Sequence, residues 1–117
     1  MDDIINREKG LSHCAGSVEL YTELLEDFVL DQPEAFGRLK VAAADGNFAE
    51  AGVIAHSIKG VAATIGAVEL PVVLYSLEKL FTGGEPPGHP ESYGELIVQS
   101  EAEFDRLISY IKEEVKL

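Results

Sequence analysis

From Ser17 to Val115 the apolar residues of this chain return every three or four positions, and nowhere do they alternate with polar ones over the length of a strand. That spacing admits helices and excludes sheets. Ser17 is a good N-cap, with Glu19 in the positive first turn, and Tyr21, Leu24, Leu25 and Phe28 follow at i, i+3, i+4 and i+7. Pro33 suits the first turn of a second helix, which offers Phe36, Leu39 and Ala43 to a core. Asp45-Gly46 ends it. Asn47 with Glu50 resembles a capping box, so the next helix starts near Phe48 and stops at Gly66. Pro71 fits the first turn of another helix, with Leu70, Val73, Leu74, Leu77, Leu80 and Phe81 as its apolar side. Thr82 to Pro90 is a Gly/Pro loop. Ser92 with Glu95 is a second capping-box match, and the last helix carries Ile97, Phe104, Leu107, Ile108, Ile111 and Val115. Residues 1–16 begin acidic and contain Ile4, Ile5 and Leu11, which predicts one or two short helices. Four long amphipathic helices on short links predict an all-α fold, an antiparallel up-down four-helix bundle whose short N-terminal segment covers one end. The 117 residues fit one domain, expected to span 1–117.

The helix after Asn47 is unusual. With about 100° of rotation per residue and His56 at zero, Ile54, Ile58, Val61 and Ile65 fall between about 140° and 200°, opposite the histidine. On the histidine's own side stand Ala49, Gly52, Gly60, Ala63 and Ala67, with Lys59 at the edge. A helix-interior glycine is worth about 0.8–1 kcal/mol less than alanine. Gly52 and Gly60 together therefore cost about 2 kcal/mol, against a typical total stability of 5–15 kcal/mol. Two causes explain such a face. Either something must come close to His56, or the small residues form a seam against a neighbouring helix. The isoleucine stripe already supplies a core face, which weighs against the seam.

The run Ala55-His56-Ser57-Ile58-Lys59-Gly60, with Gly66-Ala67 shortly after, resembles the signature of histidine-containing phosphotransfer (HPt) domains, roughly A-H-x-(L/I)-K-G. Gly10-Leu11, Ala15-Gly16, the stretch Glu19–Leu25 with Phe28, and Leu77-Glu78 resemble the family's other helices, so the likeness covers nearly the whole chain. Ile58 stands where the family often has leucine, on the core stripe, where packing is the expected effect. The resemblance implies the same bundle with an exposed active histidine midway along a helix. It implies that His56 is the phosphoacceptor, that Lys59 stabilises the added charge and that Gly60 gives steric access. It makes Gly52, Val53, Ala63 and Ala67 the expected partner-docking residues. The implied partners are a response-regulator receiver domain and a histidine kinase or hybrid kinase. Mg²⁺ is expected on the receiver only, so the chain needs no cofactor or metal of its own. The chain reads as a phosphocarrier and not as an enzyme, because it has no glycine-rich nucleotide motif with which to use ATP. It reads equally as a free-standing protein or as an end module of a hybrid kinase, and as a monomer.

Composition agrees with this reading. The net charge of −12 disfavours nucleic acid, which is bound through clustered Lys and Arg, and the nine basic residues are scattered. No apolar run reaches the ~18 residues of a membrane span, and the acidic start lacks the basic and apolar regions of a signal peptide. One cysteine excludes an intrachain disulfide and fits a reducing compartment, so the expected location is cytoplasmic. Cys14 reads more readily as a packed thiol than as a reactive one. His13, Cys14 and His56 lack the spacing of metal ligands. His89 lies in the Gly/Pro loop and is expected to be exposed. Two rivals stay open: an adaptor that docks receivers through the small-residue face without chemistry, and a small helical enzyme or metal carrier. The second lacks paired carboxylates with His ligands on a shared helix face.

Overall fold

A computed structural model describes residues 4–83 and 90–115, so the expected exposure of His89 lies outside the described residues. Among the described residues five helices run in order: α1 (Arg7–Ser12), α2 (Val18–Ala44), α3 (Phe48–Thr64), α4 (Glu69–Thr82) and α5 (Pro90–Val115). The expected all-α bundle is what forms, with α2 to α5 as its four long members and His56 on α3. None of the described helices is long and apolar enough to cross a membrane.

The helix ends follow the sequence signals. Ser17 accepts a hydrogen bond from the Leu20 amide at 3.1 Å. Asn47 accepts one from the Glu50 amide at 3.3 Å, and the Asn47 side-chain amide donates to the Glu50 carboxylate at 2.8 Å, so this cap closes through the two side chains. Gly46 and Gly66 sit at φ +76° and +89° and end α2 and α3. In both turns the two following amides reach back to the last helical carbonyls, as in Asn47 to Ala42 at 2.8 Å and Ala67 to Ala62 at 3.0 Å.

Two boundaries differ from expectation. Pro33 lies inside one continuous 27-residue α2 rather than opening a second helix. Its ring is exposed, and the buried positions Leu25, Phe28, Phe36, Leu39 and Ala43 keep one helical phase across it. Packing along that stripe outweighs the roughly 3 kcal/mol that an interior proline costs. α5 starts at Pro90, so Ser92 lies inside the helix and is not its cap.

The core is one apolar cluster fed by every helix face the periodicity marked out, with Ile58, Leu74, Leu77 and Ile111 fully buried. Phe28 and Phe36 pack on Phe104, joining α2 to α5, while Phe48, Phe81 and Tyr93 stack at the other end. The N-terminal segment covers the end where α3 stops, as expected. The Asn6 amide donates to the Gly66 carbonyl at 2.7 Å, and the Tyr21 hydroxyl donates to the Ile65 carbonyl at 2.8 Å. A Cβ on Gly66 would run into the Asn6 carbonyl, and one on Gly10 into the Tyr21 ring. Both glycines are there for close approach.

Candidate phosphotransfer site on the third helix

His56 projects from the middle of α3 with its side chain 68% exposed, while Ile54, Ile58 and Ile65 behind it are buried and Val61 is half-buried. The opposed faces read from helical rotation are therefore the faces of the folded helix. The histidine does not stand alone, however. Glu78 of the antiparallel α4 reaches it, and His56 Nδ1 lies 2.8 Å from Glu78 Oε2. The other oxygen of the same carboxylate, Oε1, accepts from Lys59 Nζ at 2.6 Å. Glu78 thus bridges two residues one turn apart on α3, and its side chain is only 18% exposed.

The bridge orients the groups that share it. The Lys59 ammonium, hydrogen-bonded to the carboxylate, holds Glu78 below the usual carboxylate range; partial burial works against this, and the His56 hydrogen bond reinforces it. At neutral pH Glu78 is therefore ionised and can only accept. Nδ1 of His56 then carries the proton and donates, and in the neutral ring this leaves the lone pair on Nε2, the nitrogen away from the bridge. Lys59, 22% exposed, also lies over the ring of Tyr75 with its Nζ 5.0 Å from the centroid. Its resting partners are Glu78 and Tyr75, both on α4. Sequence reasoning missed Glu78. Its signal was faint: a carboxylate bordering the buried Leu70-Leu74-Leu77 stripe of α4, where most neighbours are apolar.

The structure divides the small residues into two groups. Gly60 is exposed, and a Cβ placed on it would meet nothing within 4 Å. It is open ground beside His56. Gly52 is buried, and a Cβ there would stand 2.5 Å from Thr82 Cγ2 on α4. The seam reading is correct for Gly52, which is therefore not available for docking. Ala63 is half-buried. Ala67 lies beyond the end of α3, in a bridge with Ile5 and packed against the core, so it does not share His56's face. Val53 is 68% exposed. Elsewhere, Cys14 is buried, and His13 Nδ1 is 2.9 Å from the Thr64 carbonyl, to which it donates. No cluster of metal-ligating side chains occurs among the described residues.

No curated protein and no solved structure matches the chain significantly. The family model described as "Hpt domain" matches residues 23–113, which takes in the His56 helix, its α4 partner and most of α2 and α5. Four long helices, the exposed histidine with lysine three residues on and glycine four on, and this match converge: the chain belongs to the Hpt domain family and has a phosphotransfer role in two-component signalling.

Proposed function

We propose that this chain is a phosphocarrier that takes a phosphoryl group onto His56 Nε2 from a phosphorylated receiver aspartate, or from a histidine kinase, and passes it to a receiver. The observation that carries this reading is the Glu78 bridge, which presents an accessible imidazole in one tautomer. In the step, the Nε2 lone pair attacks phosphorus, an N–P bond forms, the acyl phosphate O–P bond breaks, and the aspartate leaves as a carboxylate. The ring is then a phosphorylated imidazolium. Its Nδ1 proton stays on the ring, donated to Glu78, whose negative charge offsets the new positive one. The phosphoryl oxygens compete with Glu78 for Lys59, whose ammonium stabilises the added charge without bonding to phosphorus. Gly60 leaves room for the partner, and Val53 lies on its contact face. Mg²⁺ and the acidic pocket belong to the receiver.

The test is phosphoryl labelling. Receiver domains from the same source, phosphorylated in Mg²⁺, should label the intact chain with an acid-labile, base-stable phosphoramidate. The His56→Gln protein should stay unlabelled and equally helical, because the ring covers no core. Replacing His13 should leave the label in place, and ATP alone should give none. A labelled His56→Gln protein, or no label from any receiver, overturns the assignment and favours the adaptor.

A further inference from the structure

Three contacts between α3 and α4 share one register. Gly52 faces Thr82, His56 meets Glu78, and Lys59 lies over the Tyr75 ring. Residues three and four apart share a helix face, and each such step along α3 is matched by the same step back along α4. Tyr75 is therefore the residue this register sets opposite Lys59, as Glu78 is set opposite His56. The ring is 51% exposed and lies outside the apolar cluster that α4 feeds through Leu70, Leu74, Leu77 and Phe81. What it covers is the lysine, with Nζ 5.0 Å from the ring centroid. Lys79 approaches the same ring at 5.5 Å, but it is exposed and makes no ion pair among the described residues.

The two partners of Lys59 hold it differently. Glu78 takes the ammonium in one hydrogen-bond geometry, Nζ to Oε1 at 2.6 Å. A ring face attracts a cation through its quadrupole, over an area and without a fixed donor angle. A phosphoryl group on His56 draws the ammonium from the carboxylate, but Nζ can swing toward it without leaving the ring. We propose that Tyr75 is a positioning residue for phosphohistidine: its ring keeps Lys59 beside His56 as the ammonium passes from Glu78 to the phosphoryl oxygens. This rests on the phosphotransfer reading. In spontaneous loss of the group, water takes the phosphorus, the N–P bond breaks and its electron pair returns to Nε2. The transition state is loose and metaphosphate-like, singly charged where the phosphoryl group of phosphohistidine is doubly charged. An ammonium held against the phosphoryl oxygens therefore favours the intact bond and lengthens its life.

The experiment follows hydrolysis of phosphohistidine at neutral pH in protein labelled with inorganic phosphoramidate, a small donor that needs no receiver. The imidazole nitrogen resonances of His56 report the label at that ring, and helicity is monitored for each variant. Tyr75→Leu and Tyr75→Gln should each shorten the half-life roughly three- to tenfold, and Tyr75→Phe, which keeps the ring face, should restore it. In a Lys59→Ala background Tyr75→Leu should have no further effect, because the ring acts through the lysine. Lys79→Ala should leave the half-life within about twofold of the parent. An unaltered half-life in Tyr75→Leu, an equal loss from Lys79→Ala, or a full further loss on top of Lys59→Ala overturns the proposal. Phosphotransfer is read separately, as label passed from phosphorylated receivers to the parent. Its absence overturns that reading, while the hydrolysis series still decides what the ring does.

Discussion

At the scale of single residues, the carboxylate of Glu78 does three things: it selects the His56 tautomer, restrains Lys59 and ties α3 to α4. A hydrogen bond involving a charged group contributes about 1.5–3 kcal/mol, which corresponds to roughly tenfold to a hundredfold in rate. Glu78→Ala is therefore expected to slow labelling of His56 by at least tenfold, and Glu78→Gln by less, because the amide oxygen can still accept from Nδ1. The pH dependence has a definite sign. Lys59 holds the folded-state pKa below the unfolded carboxylate value, which is about 4.3. The stabilisation is complete above that value and disappears as pH falls through the lower folded one. Thermal melts should show parent and Glu78→Gln proteins differing at pH 7 and converging in acid. A gap that persists unchanged at pH 2 would exclude the bridge as its source.

At the scale of the helix, Gly52 and Gly60 look alike in sequence and behave oppositely in the fold. Gly60→Ala should raise stability by up to about 1 kcal/mol, since nothing stands near its Cβ position. Gly60→Gln should fold normally and transfer slowly. Gly52→Ala should lose about 1–3 kcal/mol. Thr82 is held by its own hydroxyl bond to the Glu78 carbonyl at 2.8 Å and cannot easily turn aside. Chemical denaturation of the three variants checks this, and a destabilised Gly60→Ala would contradict it. The pair also marks where the sequence stops being informative. Helical rotation places both glycines on the histidine's side, about 40° either way, but which flank meets α4 depends on how the helices are arranged. The Glu78 bridge was hidden for the same reason, because it depends on the register of two helices. Pro33 misled for another. The local rule for proline favours a helix start, yet the apolar stripe from Leu25 to Ala43 already ran through it in phase. The caps at Ser17 and Asn47 were legible because they are local, and the buried faces were legible because periodicity alone decides them.

For the molecule as a whole, charge sets how partners meet. On the phosphocarrier reading, a chain at −12 is expected to repel an acidic receiver at long range and to bind it through short-range contact around His56. Salt screens that repulsion. Affinity of the parent for a receiver should be unchanged or slightly improved between low salt and several hundred millimolar. Titration calorimetry across that range of salt checks this. A steep loss in the parent would mean that local attraction dominates throughout.

The far end of α3 has a bearing on what this domain can transmit. Carbonyls of Thr64, Ile65 and Gly66 are each claimed from outside the helix, by His13, Tyr21 and Asn6. Glu78 grips the same helix farther up its length. For a phosphocarrier, a helix clamped in this way is expected to keep its shape when the group arrives, which circular dichroism of the labelled and unlabelled protein would check. The message is then stored in a covalent bond, and whatever reads it must recognise the phosphoryl group itself.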